Sequence, residues 1–134
     1  MTQPNLPRLT DRELEIMQLL WQHGQLSASE IAAHFLKTQR QLRNTTYTFI
    51  TKLIDKRVIR RTDPGFICIP LYECDTLLLH ETRSFLDKVY DGSLERMFAQ
   101  FLRQQALTPQ EIAGLQKLID KARKEGDPHD PNLA

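Results

Sequence analysis

Between residues 43 and 72 the hydrophobic period changes, and that change limits the folds open to the chain. In "RNTTYTFITKLIDKR" the apolar positions are Thr46, Phe49, Ile50, Leu53 and Ile54. They recur three and four apart, which is one face of a helix from about Thr45 to Arg57. In "VIRRTDPGFICIPLY" the spacing falls to two. Val58 and Ile59 open a strand, Asp63-Pro64-Gly65 makes a turn, and a second strand follows. Ile67, Ile69 and Leu71 fall on one side of it, with Phe66, Cys68 and Tyr72 on the other.

Two helical stretches precede this unit. In "LTDRELEIMQLLWQHGQ" Thr10 and Glu13 have the spacing of a capping box, and Leu14, Met17, Leu20 and Trp21 share a face. Gly24 is a stop signal. "SASEIAAHFLK" repeats the grammar, with Ser27 and Glu30 as the box and Ile31, Phe35 and Leu36 as the apolar face. Three helices followed by one hairpin is the outline of a winged helix-turn-helix. In that arrangement the third helix enters a DNA groove and the hairpin lies over phosphates.

Charge supports this reading. The whole chain carries a net charge of only +1. Residues 37–61, however, hold eight basic side chains (Lys37, Arg40, Arg43, Lys52, Lys56, Arg57, Arg60 and Arg61) against Asp55 alone. A cationic patch concentrated around the third helix and the hairpin fits a polyanion. The candidate DNA-binding residues are Arg43, Asn44, Thr45, Tyr47, Thr48, Thr51, Lys52, Arg60 and Arg61. Their hydroxyls, amide and cations suit base edges and phosphates.

Beyond Cys74 the pattern is helical again, over residues 76–90, 94–105 and 109–124. Thr108, Pro109 and Glu111 mark the start of the last helix. These helices are rich in apolar residues for their length, and a second copy of the chain is the simplest cover for them. The expected dimerisation surface comprises Leu79, Phe85, Leu86, Val89, Met97, Phe98, Phe101, Leu102, Ile112, Leu115, Leu118 and Ile119. The expected organisation is mainly α with a small β-hairpin: a winged-helix DNA-binding domain over residues 1–73, a helical dimerisation domain over 74–125 and a disordered tail over 126–134.

Other classes fit less well. No apolar run approaches the ~20 residues of a membrane span. The N-terminus has no apolar signal core, so a cytoplasmic protein is expected. Cys68 and Cys74 make no disulfide framework, and the four histidines do not pair at ligand spacing, so no cofactor or metal site is expected. No phosphate loop or nucleophile constellation points to an enzyme. Two alternatives stand: a winged helix that docks proteins, and a metal- or thiol-responsive regulator of the same fold using Cys74 and His80.

The order of "LTDRELEIMQLLWQHG", "SASEIAAHF", "NTTYTFITKLIDKRVI", "FLDKVYDGS" and "LTPQEIAGLQKLID" resembles the penicillinase-repressor family of bacterial transcription regulators, the BlaI/MecI/CopY type, over about residues 9–122. The resemblance implies a homodimeric repressor of β-lactamase or other stress-response genes, bound to an inverted-repeat operator through its winged helices. It also implies that Thr45, Tyr47, Thr48 and Lys52 occupy the exposed face of the recognition helix. In the β-lactamase branch a signalling protease inactivates the repressor by a cut between an Asn and a Phe. The corresponding pair here is Gln100-Phe101. The chain departs from the family's usual residues in three places: Arg57 for a Gly, Phe66 for an Arg after the wing's turn Gly, and Thr46 for an apolar residue.

Overall fold

A computed structural model of the chain describes residues 6–125. Helix α1, Asp11–His23, begins with both halves of the expected capping box. The Glu13 N–H donates to Thr10 Oγ1 at 3.2 Å, and the Thr10 N–H donates to Glu13 Oε1 at 2.8 Å. Gly24 ends the helix at φ 88°, a left-handed backbone that glycine adopts without a Cβ clash. Helix α2, Ala28–Gln39, starts from the Ser27–Glu30 box. The Ser27 backbone N–H, and then its hydroxyl, hold the Glu30 carboxyl below the usual carboxylate range.

Helix α3 runs over Arg43–Asp55, so it starts two residues before the expected Thr45 and stops two short of Arg57. The apolar pattern could not reveal its first turn, because Arg43, Asn44 and Thr45 are exposed. Thr46 is fully buried, and its hydroxyl accepts a 2.6 Å hydrogen bond from Gln41 Nε2. That partner is what makes a hydroxyl tolerable at a core position. Past the helix, Arg57 takes φ 62°, the left-handed conformation that a glycine would adopt freely.

The hairpin is present as β2, Ile59–Thr62, and β3, Ile67–Pro70. The sheet also has a third strand that the sequence did not show: β1, Leu26–Ser27. It pairs antiparallel with β3, giving the order β1-β3-β2. Two residues are too few for a period of two to be visible. Cys68 lies on the buried side of β3. The core around it combines Ile16, Met17 and Leu20 of α1, Ile31 of α2, Ile50 and Leu53 of α3, and Val58 and Ile59. Burial of each such side chain contributes about 1.5–3 kcal/mol.

Helix α4, Cys74–Tyr90, contributes to the same core. Leu77 is fully buried there, and the Leu9 N–H reaches Glu81 Oε2 at 3.4 Å. Just before α4, the carbonyl of Tyr72 accepts a 2.9 Å hydrogen bond from Trp21 Nε1. The contacts of the chain divide into two compact units between Phe85 and Leu86.

The second unit contains α5, Leu94–Arg103, and α6, Pro109–Glu125. Ser93 caps α5, and Thr108 with Glu111 forms a reciprocal box at α6. Neither α5 nor α6 has a fully buried residue. The groove between them is a cavity of about 670 Å³ lined by Leu94, Phe98, Leu102, Leu107, Leu118 and Ile119. Of the side chains expected to pair subunits, Leu79, Phe85, Val89, Leu102, Ile112, Leu118 and Ile119 are exposed, and Met97, Phe98, Phe101 and Leu115 are half-buried. Leu86 differs, being buried within its own chain at 2% exposure, so it offers a partner little surface. The tail expected over residues 126–134 lies outside the described residues.

Candidate nucleic-acid interface

Helix α3 presents a continuous polar side. Asn44, Thr45, Thr48, Thr51 and Lys52 are all exposed, and their spacing of three and four places them along one flank. The Thr48 hydroxyl donates to the Asn44 carbonyl at 2.9 Å, which leaves its lone pairs able to accept. The Lys52 ammonium stands 5.9 Å from the Phe49 ring centroid. At the start of the helix Leu42 supplies no side-chain cap, and Arg43 is exposed beside it. Uncapped first-turn amides with an adjacent guanidinium are suited to a phosphate oxygen.

The eight cations of residues 37–61 divide into two sets. Lys37, Arg40, Arg43, Lys52, Arg57 and Arg60 are exposed and belong to none of the ion pairs among the described residues. Lys56 is committed elsewhere: its ammonium donates to Glu13 Oε1 at 2.6 Å and to the Arg8 carbonyl at 2.8 Å. Arg61 grips Asp63 through Nε at 2.9 Å and Nη2 at 3.3 Å. That guanidinium, followed by the Phe66 N–H, holds the Asp63 carboxyl below its usual range. Arg60 donates to Thr62 Oγ1 at 2.9 Å.

The expected site residues are therefore largely, but not wholly, on one surface. Arg43, Asn44, Thr45, Thr48, Thr51 and Lys52 lie along α3, and Arg60 and Arg61 are exposed on β2. Tyr47 is half-buried and packs against the core rather than standing clear of it. Lys37 and Arg40, at the end of α2, join the exposed cations although the sequence reading gave them no individual role. Gln100 is exposed and Phe101 half-buried, both within α5.

Both cysteines are free thiols. Burial pushes the Cys68 thiol up to about 11, against the opposing pull of Arg61, so a thiolate is disfavoured there. Cys74 is half-buried at the start of α4. Among the described residues no group of three or more His, Cys, Asp or Glu could hold a metal ion. Nor is any described helix long and apolar enough to cross a membrane.

Comparison with known proteins agrees with the winged-helix geometry. The penicillinase repressor of Bacillus licheniformis is 27% identical over 118 residues, covering 87% of this chain and 92% of the relative. The methicillin resistance regulatory protein MecI of Staphylococcus aureus is 25% identical over 115 residues, covering 84% of this chain and 94% of the relative. Among solved structures, that of the DNA binding domain of the repressor BlaI superposes with a TM-score of 0.50 at 26% identity. It covers 53% of this chain and 89% of that domain. A sequence model described as "Penicillinase repressor" matches residues 9–121. With that match running through both structural units, the chain belongs to the penicillinase repressor family.

Proposed function

We propose that the chain is a homodimeric transcriptional repressor whose α3 helices enter successive major grooves of an inverted-repeat operator. The observation that carries this reading is the polar, solvent-facing flank of α3, together with six exposed cations that belong to no ion pair among the described residues. Such a surface gains affinity by releasing counterions from phosphates and gains selectivity from hydroxyl and amide contacts to base edges. The B. licheniformis relative is named a penicillinase repressor, which is consistent with a repressor here. The division of labour we favour assigns base and phosphate contacts to residues 1–73 and subunit pairing to 74–125. The apolar α5–α6 groove and the exposed Leu79, Phe85 and Val89 support the second assignment.

The test uses a duplex selected by the protein from its own genomic DNA, and a scrambled duplex of the same length. Lys52→Ala weakens both by a similar factor and makes the salt dependence shallower by about one unit of slope. Thr48→Ala loses about 1–3 kcal/mol on the selected duplex only. Equal affinity of the parent protein for both duplexes would end the specific-repressor reading.

Proteolytic induction at Gln100-Phe101 is a second part of the proposal. A protease binds its substrate extended, so α5 must open before it is cut. Opening is inexpensive here because α5 has no fully buried residue and ends seven residues or fewer from the bond. Cutting α5 breaks the groove that supports pairing, and the two half-site contacts then cease to be coupled. Mass spectrometry of the repressor from β-lactam-treated cells is expected to show fragments ending at Gln100 and beginning at Phe101. Full-length repressor alongside a derepressed target gene would rule this out.

A further inference from the structure

One chain of side-chain contacts joins the wing to α3. The Tyr47 ring, on the half-buried flank of α3, lies 5.9 Å from the Phe66 ring with the planes at 60°. The Arg61 guanidinium sits 3.6 Å from the Phe66 centroid. Arg61 is braced in turn by its two-pronged contact with Asp63, and Asp63 Oδ1 also accepts the Phe66 N–H at 3.1 Å. The Phe66 carbonyl accepts from the Ala28 N–H at 2.8 Å, tying this residue to the start of α2. Phe66 holds φ 50°. A bulky residue enters that left-handed region only where its surroundings over-determine it. Every polar group and the ring of Phe66 are thus engaged in setting one wing conformation.

We propose that Tyr47 is a positioning residue for the wing: its ring, through Phe66, sets where the Arg61 guanidinium stands relative to α3, and it reads no base. This rests on the reading that α3 enters a DNA groove, and it changes the role expected for Tyr47 there. The ring is half-buried, packing against Phe66 and the core, so it stands back from the exposed flank that Thr48, Thr51 and Lys52 present. Arg61 is well suited to be the group positioned. A guanidinium has five N–H donors, and Asp63 takes two of them. The remaining donors can meet a phosphate oxygen without giving up the carboxylate that orients them. The wing therefore delivers its cation from β2, before the turn, in place of an arginine after the turn glycine.

Two measurements test this, one of them without DNA. With the guanidinium 3.6 Å from the Phe66 centroid, the ring current is expected to shift the Arg61 side-chain signals in NMR spectra of the free protein. Tyr47→Ala is expected to move those signals toward free-arginine positions while the methyl signals of Ile50 and Leu53 stay in place, and Tyr47→Phe is expected to hold them. On a duplex selected by the parent protein from a random-sequence pool, and on its scrambled counterpart, Tyr47→Ala loses about tenfold affinity equally and shows a salt slope shallower by about one. Tyr47→Phe restores both. If Tyr47→Ala does not fold, Phe66→Leu removes the stack while keeping apolar bulk, and the same readouts apply. Unmoved Arg61 signals in Tyr47→Ala, or loss of preference for the selected duplex in Tyr47→Phe, overturns the proposal. A parent protein that binds both duplexes alike refutes the repressor reading instead, and the NMR measurement still decides whether Tyr47 holds the wing.

Discussion

Lys56→Met is expected to lower the unfolding free energy by about 2–3 kcal/mol while leaving the salt slope of DNA binding unchanged. The loss comes from Glu13, not from the interface. The Glu13 side chain is 0% exposed, and its Oε1 receives both the Lys56 ammonium and the Thr10 N–H. Its Oε2 has no hydrogen-bond partner among the described residues. Removing the ammonium leaves a buried carboxylate with one backbone amide for support, and breaking such a pair from one side costs about 3–5 kcal/mol when both groups are buried. Lys56 keeps 30% of its side chain in solvent, so the lower end applies. The same change releases the Arg8 carbonyl, loosening the segment that leads into α1. Adding Glu13→Gln to Lys56→Met should recover part of the stability, because a buried amide costs less than a buried charge and still caps the Thr10 N–H. Urea unfolding of the two variants measures both effects. A stability change within about 0.5 kcal/mol, together with weaker DNA binding, would return Lys56 to the cationic surface.

A chain ending after Phe85 is expected to be a folded monomer that binds one half-site and loses on the order of 10²–10⁴ in affinity for the full operator. The reason is the loss of coupling. In a dimer, docking of one α3 makes the second contact intramolecular, and its effective concentration no longer depends on free protein. The cut must fall after Phe85, not after Tyr72. Ending the chain at Tyr72 deletes Leu77, which is fully buried in the winged-helix core, and Glu81, which accepts the Leu9 N–H. Loss of a buried leucine alone costs about 2–5 kcal/mol. Sedimentation and half-site titration distinguish the cases. A chain ending at Phe85 that still sediments as a dimer would show that Leu79 and Phe85 pair subunits without α5 and α6, and would overturn this expectation.

What the sequence determined by itself was everything local in cause. The capping boxes at Thr10, Ser27 and Thr108 link residues three apart, and each is present. The change from helical spacing to alternation marks the passage from α3 to β2 and β3, because burial of one face imposes the period of the element that carries it. The concentration of cations around α3 was equally legible, as was the family through the order of its motifs. The tertiary structure decided which of those residues are free to act. Lys56 and Arg61 read as cations like the others, yet one is bound to a carboxylate 43 positions away and the other to one two positions away. Tyr47 lies on the polar side of the helical pattern, but a wing residue 19 positions later covers its ring. Strand β1 exists only because β3 offers it a hydrogen-bonding edge. Apart from the neighbouring Arg61–Asp63 pair, the deciding partner is brought close by packing, and spacing along the chain carries no record of it.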